Sequence, residues 1–167
     1  MGAATQAHRL DGSLEIVAFD VPGKVPLYRE TGSSADFAAA AGGTLGLHIL
    51  NRRNGAHFFY VAACASLTAD LAERIRGAPL VFFDGTLWRD DEMIRAGLSA
   101  KTGARMGHVS MAGEAGSIEG FRELSVGRKV FLHVNNTNPA HSRGSEEHNL
   151  LQRAGWEILP DGTEITL

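Results

Sequence analysis

Apolar and polar positions alternate along this chain in a way that separates a strand-rich beginning from a mixed remainder. Residues 14–19, Leu-Glu-Ile-Val-Ala-Phe, read as a strand that stops at Val21-Pro22-Gly23-Lys24-Val25-Pro26, where two prolines keep the backbone out of regular structure. A loop is expected next. Residues 44–50 and 57–62 are β-rich runs joined by Asn51-Arg52-Arg53-Asn54-Gly55, and the Asn-Gly pair predicts the positive φ angles of a hairpin turn. Leu67, Leu71 and Ile75 follow at four-residue spacing and end at Gly77, which predicts a short amphipathic helix over 68–76 with a glycine cap. Residues 79–83 form a short, wholly apolar strand pattern. Val130, Phe131, Leu132 and Val134 have the β-branched and aromatic character of another buried strand. Helical patterns recur at 90–96, 117–124 and 145–154, the last with Ser145 as N-cap, Glu146 and Glu147 at the positive end of the dipole, and Gly155 as terminator. Residues 156–159 and 163–167 are expected to close the chain as a hairpin around Pro160-Asp161-Gly162. Strands come first and then alternate with helices, so the class is α/β or α+β.

Composition narrows this picture. With 167 residues, 44% hydrophobic and 21% charged, the chain has the bulk of one globular unit with a usable core. No repeat or Pro/Ser-rich linker divides it, so residues 1–167 are treated as a single unit. The formal charge of -3 without a basic stripe argues against a nucleic-acid partner. One cysteine, Cys64, excludes an intrachain disulfide and suits a reducing compartment. No apolar stretch approaches the roughly 20 residues needed to span a bilayer, and Met1-Gly-Ala-Ala-Thr-Gln lacks the apolar core of a secretory signal. A cytoplasmic protein without membrane insertion is expected.

Chemistry is concentrated where apolar runs end. Asp84 follows Leu80-Val-Phe-Phe83 directly, and His133 follows Phe131-Leu132. His108 lies in Arg105-Met-Gly-His-Val-Ser-Met111, a segment that reads as a loop. A carboxylate and imidazoles from neighbouring strand ends are the ingredients of a divalent-metal site suited to zinc or ferrous iron. By spacing alone, an Asp such as Asp84 more often serves as a turn or helix cap, and a histidine such as His133 as a satisfied core residue.

A longer-range resemblance decides between these readings. Phe19-Asp-Val-Pro-Gly-Lys-Val-Pro-Leu27, Phe83-Asp-Gly-Thr-Leu-Trp-Arg-Asp-Asp-Glu-Met93, Lys101-Thr-Gly, Arg105-Met-Gly-His108, Gly116-Ser117 and His133-Val-Asn-Asn-Thr-Asn-Pro139 occur in order. Together they resemble the C-terminal half of the pyrroloquinoline quinone (PQQ) biosynthesis protein B family, over residues 14–167. The resemblance implies the αββα sandwich of the metallo-β-lactamase superfamily, of which this chain would form the C-terminal half. The family's Asp/His-rich metal loop and its cysteine-rich zinc motif have no counterpart in the sequence, so Met1 looks like an internal start or truncation point. Such a half would expose a sheet edge and an apolar face, and is expected to need a complementing N-terminal half, a partner copy as a homo-oligomer, or both.

Carried over residue by residue, the resemblance implies that His133 is the last metal-binding histidine and Asp84 the bridging or supporting acid. His108 sits where related phosphodiesterases hold a catalytic histidine, which implies a proton-transfer or substrate-binding role. Lys24 stands where hydrolytic members place a metal-binding histidine. A protonated lysine is no ligand, which argues for one metal and against two-metal hydrolysis. Lys24, Lys101 and Arg105 are candidates for holding an acidic substrate, and Asn135, Asn136 and Asn138 for orienting it. The leading function is then iron-dependent oxidative hydroxylation, with zinc as the alternative metal, of the PQQ precursor derived from a glutamate–tyrosine peptide. A carrier that moves PQQ or its precursor toward the periplasm is a second reading and a metallo-hydrolase a third. With few ligands of its own, the chain is expected to bind metal weakly and to be inactive alone.

Overall fold

The computed structural model describes residues 7–10, 12–24, 28, 31 and 43–167. Among these, seven strands form one mixed sheet in chain order. Strands β1 (Ala7–Leu10), β2 (Leu14–Asp20), β3 (Leu45–Asn51) and β4 (His57–Val61) make an antiparallel meander. Strands β5 (Leu80–Asp84), β6 (Arg128–Leu132) and β7 (Trp156–Ile158) continue it in parallel. Parallel neighbours need crossovers, and the helices supply them. Helix α1 (Ala69–Ile75) joins β4 to β5; α2 (Glu92–Arg95), α3 (Gly103–Met106) and α4 (Ser117–Gly120) join β5 to β6; a 3-10 turn (Pro139–His141) and α5 (Glu146–Arg153) join β6 to β7. The sheet with its crossover helices is of the α/β class.

Local chemistry explains most of the boundaries. The Thr68 hydroxyl accepts from the Leu71 N–H at the start of α1, and the Ser145 hydroxyl accepts from the His148 N–H at the start of α5. Gly77 and Gly155, at φ +68° and +74°, turn the chain out of those helices as their sequence positions predict. Elsewhere the structure departs from the sequence pattern. Strand β1 has no counterpart in that pattern. The turn after β3 takes its positive φ from Gly55 alone, because Asn51 accepts from the Gly55 N–H and the loop is longer than a two-residue turn. The helices expected over 90–96 and 117–124 shrink to single turns, and α3 appears within a stretch that read as a loop. The closing hairpin is absent: residues 163–167 form no strand, and β7 pairs in parallel with β6 instead. Leu159, Ile165 and Leu167 instead line a cavity of about 320 Å³ with Phe58, Phe82 and Leu132 of the sheet. The loop expected after Pro26 lies mostly outside the described residues.

The core sits on one face of the sheet. Phe19, Phe59, Val61, Val81, Phe83, Phe131 and Trp156 pack there with Leu71 and Ile75 of α1, Phe121 and Leu151. Trp156 stacks on Phe131 at 3.8 Å between ring centroids and meets Phe121 edge-on at 4.8 Å. This aromatic stack ties β6 to β7 and reaches β5 through the edge contact of Phe83 with Phe121 at 4.8 Å. The opposite face carries Phe58 edge-on to Phe82 and Tyr60 tilted beside it, with Tyr60 and Leu45 exposed.

One pair of imidazoles near α1 makes stability depend on pH. His48 stacks on Phe59 at 4.4 Å, and its Nε2 lies 3.1 Å from Nδ1 of His57. Burial first, then His57 and Arg74, hold His48 below its ordinary value of 6.5, against the opposing pull of Glu15. The unfolded chain therefore takes up this proton at a higher pH than the folded one. Stability is complete above pH 6.5 and is lost as pH falls through the lower folded value. Thermal denaturation should show a falling midpoint between pH 7.5 and 5.5, and His48→Phe, which keeps a ring on Phe59, should flatten that slope. An unchanged slope would place the linkage elsewhere.

Candidate metal centre

Strands β5 and β6 run in parallel with Asp84 opposite Leu132, so Asp84 and His133 emerge at the same edge of the sheet. The pairing continues past the strands. Gly85 donates its N–H to the Leu132 carbonyl at 2.8 Å, and Asn135 donates to the Thr86 carbonyl at 3.1 Å. Gly85 must be glycine for this approach, because a Cβ there would lie 2.7 Å from Cβ of Phe131. His133 ends β6 by adopting φ +57°, a left-handed conformation that costs a non-glycine residue roughly 1–2 kcal/mol. Strain of this kind persists only where the surroundings enforce it, and it marks the site side of the strand. His108 arrives from a different direction. Gly107, at φ +89°, caps α3, and the next residues are tied down by Val109 N–H to the Cys64 carbonyl and Met111 N–H to the Leu87 carbonyl.

These elements bring Asp84, His108 and His133 together, with one ligand atom of each within 4.8 Å of the others. The Asp84 side chain is fully buried. Its Oδ1 accepts from the Thr86 N–H at 3.0 Å and the Thr86 hydroxyl at 2.6 Å. Its Oδ2 accepts from the Cys64 N–H at 2.9 Å and lies 2.8 Å from His108 Nδ1. The Thr86 oxygen also lies 2.8 Å from His133 Nδ1 and 3.1 Å from His108 Nδ1. The two imidazole rings are 5.5 Å apart at a 36° tilt.

The donor set fits a divalent cation. A buried carboxylate needs compensating charge, and the ion-pair partner that reaches Asp84 is an imidazole, cationic only when protonated. One carboxylate and two imidazoles are oxygen and nitrogen donors that both zinc and ferrous iron accept. Each Asp84 oxygen already takes two hydrogen bonds, so direct coordination by Asp84 exchanges one of them. The bond to His108 is the exchangeable one, since its donor is a side chain 16% exposed whereas two of the others come from backbone amides.

The other candidates are distributed unevenly around this centre. Lys24 abuts it through its backbone: a Cβ at Gly107 would lie 2.7 Å from Cβ of Lys24, next door to His108. Arg105 lies in α3, where its N–H is accepted by the Thr102 hydroxyl, and Lys101 is exposed just before that helix. Asn136 is exposed and Asn135 half-buried, its amide nitrogen 3.2 Å from Sδ of Met93. Asn138 is buried with its amide consumed inside the loop: Nδ2 donates to the Gly85 carbonyl and Oδ1 accepts from the Ala140 N–H. It fixes the loop against β5, which turns it away from a substrate-orienting role. Cys64 contributes its backbone amide rather than its sulfur, and burial pushes the thiol up to about 12.

Two contributors are not evident in the sequence pattern. Thr86 touches all three members of the cluster; its sequence signal is its place two residues beyond Asp84, on the same side of an extended chain. Glu92 looks like one of three acids that begin a helix. In the fold it is buried, accepting from the Trp88 N–H at 2.7 Å and the Thr137 hydroxyl at 2.6 Å, and so clamps the Asp84 loop to the His133 loop. Its neighbour Asp90 accepts from the Ala104 N–H and holds the start of α3, while Asp91 pairs with Arg95 on the surface.

Comparison with known proteins places this geometry in a family. The family model for the β-lactamase superfamily domain matches residues 3–134. Coenzyme PQQ synthesis protein B of Xanthomonas campestris pv. campestris (strain B100) is 50% identical over 154 residues, which cover 92% of this chain and 51% of that protein. The protein of the same name from Rhodopseudomonas palustris (strain TIE-1) is 49% identical over 154 residues, covering 92% of this chain and 50% of that one. Among solved structures, Zn(2+)-bound PqqB from Methylobacterium extorquens superposes with a TM-score of 0.89 at 40% identity, over 99% of this chain and 54% of that chain. The chain thus spans about half the length of the curated relatives it matches. No helix among the described residues is long and apolar enough to cross a membrane. By fold, by the match over residues 3–134 and by its likeness to the coenzyme PQQ synthesis proteins B, the chain belongs to the β-lactamase superfamily domain family.

Proposed function

We propose that this chain serves the synthesis of coenzyme PQQ as part of a metal-dependent enzyme that oxidatively hydroxylates the tyrosine ring of a glutamate–tyrosine-derived precursor. The observation that carries this reading is the meeting of Asp84, His108 and His133 at one sheet edge, in a chain half identical to coenzyme PQQ synthesis proteins B over 154 residues. Imidazole and carboxylate donors are the kind that non-haem ferrous iron takes in oxygenases. When bound, iron would supply the redox chemistry that dioxygen requires. Asp84 and His133 would hold it; His108, partly exposed and with Nδ1 against the Thr86 oxygen, would handle protons through Nε2. Lys24, Lys101 and Arg105 receive the precursor's carboxylates, and Asn135 and Asn136 orient its ring. The chain spans half the length of its relatives, and we assign the remaining ligands to the part of that length it does not cover.

The test is mass spectrometry of the precursor after incubation under labelled dioxygen with the iron-loaded chain, mixed with a polypeptide that covers the rest of the Xanthomonas relative. Incorporation of the label with iron, and none with zinc, is the expected result. Iron bound by the mixture without labelled product would overturn the hydroxylation reading. Tight PQQ binding under those conditions would point instead to a carrier.

A further inference from the structure

We propose that Thr86 is the positioning residue of this centre: its single hydroxyl holds His133 and His108 in the tautomer that leaves Nε2 of each ring as the cation-binding or proton-accepting nitrogen. The inference deepens the metal-centre reading and rests on it. Its basis is a proton count around one oxygen. A carboxylate only accepts, so the 2.6 Å contact from the Thr86 oxygen to Asp84 Oδ1 takes the hydroxyl proton. With that proton committed, the same oxygen can only accept from His133 Nδ1 at 2.8 Å, which must therefore carry hydrogen. His108 Nδ1 lies 2.8 Å from Asp84 Oδ2 and 3.1 Å from the Thr86 oxygen, two acceptors, and so carries hydrogen as well. The lone pair of each ring is then on Nε2. A histidine presented to a metal is normally fixed from behind in this way, through its other nitrogen, by an oxygen acceptor.

The hydroxyl has little freedom to do otherwise. Thr86 is 7% exposed. Its N–H donates to Asp84 Oδ1, and its carbonyl accepts from the Asn135 N–H, so the backbone is fastened to both strand-end loops. Asp84 in turn is fixed by the Cys64 amide. The chain of dependence runs from backbone amides to Asp84, from Asp84 to the Thr86 proton, and from Thr86 to His133.

The experiment compares the wild-type chain with Thr86→Ser and Thr86→Val. Long-range nitrogen–proton NMR of the metal-free protein reads the tautomers directly: the wild type should show hydrogen on Nδ1 of His133 and His108. In Thr86→Val, whose methyl cannot accept, the His133 signal should move toward hydrogen on Nε2. Zinc titration against a chromophoric chelator should weaken roughly 10–100-fold in Thr86→Val and recover to within about threefold in Thr86→Ser. Hydrogen on Nε2 of His133 in the wild type, or unaltered zinc affinity in a folded Thr86→Val protein, would overturn the proposal. If the wild type bound no zinc even when mixed with a polypeptide covering the rest of the Xanthomonas relative, the metal reading would fail, while the tautomer measurement would still decide the role of Thr86.

Discussion

Replacing Asp84 by alanine is expected to cost about 3–5 kcal/mol of stability, among the largest losses that any single substitution in this chain should produce. The carboxylate is fully buried and receives four hydrogen bonds, two from the backbone amides of Cys64 and Thr86. Truncation leaves those amides without acceptors and out of reach of water, and each such orphan costs about 1–3 kcal/mol. Asp84→Asn should be only partly rescued. An amide offers one acceptor oxygen where two are needed, and its NH₂ group would face donors. Urea denaturation measures both variants. A loss below about 1 kcal/mol for Asp84→Ala would mean that water or a rearranged loop replaces the carboxylate. Either variant should also bind zinc more weakly than the wild type, since the carboxylate that would hold the cation is removed or neutralised.

His133→Gly should separate stability from metal binding. The wild-type residue holds φ +57°, a conformation glycine adopts without steric cost. Relief of that strain, roughly 1–2 kcal/mol, offsets the lost bond from Nδ1 to Thr86 and the extra chain entropy of glycine. We expect a protein within about 1 kcal/mol of the wild type by thermal denaturation, with zinc affinity reduced at least ~100-fold, more than loss of an orienting contact would cause. His133→Ala retains the strain and should be the less stable of the two. Equal zinc affinity in His133→Gly and wild type would remove His133 from the ligand set. A marked destabilisation of His133→Gly would show that the ring supports the fold instead of straining it.

The two variants bear on the centre from opposite sides. Asp84 is fully buried and fastened to two backbone amides, so its removal registers strongly in stability as well as in metal binding. His133 lies at the front, bent out of its strand, so its removal registers mainly as function. A strained residue at a strand end, held in place by a buried acid and a hydroxyl, is the pattern expected where geometry matters more than stability.

Much of this arrangement was legible from the order of residues. Local rules reach a few positions along the chain, and they suffice for strands β2 to β6, for α1 and α5 with their caps, and for the emergence of Asp84 and His133 at strand ends. Residues 163–167 show the limit of those rules. Their pattern suits a hairpin, but half-buried Ile165 and exposed Leu167 instead line a cavity with Phe58 and Phe82, and only the packed sheet provides that surface. The same limit applies to α3 and the single-turn helices, whose short spans fall below the length at which periodicity can be read.

What the sequence by itself determined is the type of chemistry and its family: a carboxylate and histidines at apolar strand ends, carried in motifs long enough to exclude chance. Only the tertiary structure decided how those groups relate. Asp84 and His108, 24 positions apart, and Thr86 and His133, 47 positions apart, are bridged by contacts of 2.8 Å. No local rule spans such separations. Parallel pairing of β5 with β6 sets one approach, and the capped turn at Gly107 sets the other. The hydrogen-bond supply around Asp84 then fixes which nitrogen of each ring carries the proton, and that depends on a threonine whose significance appears only once three distant segments meet at its oxygen.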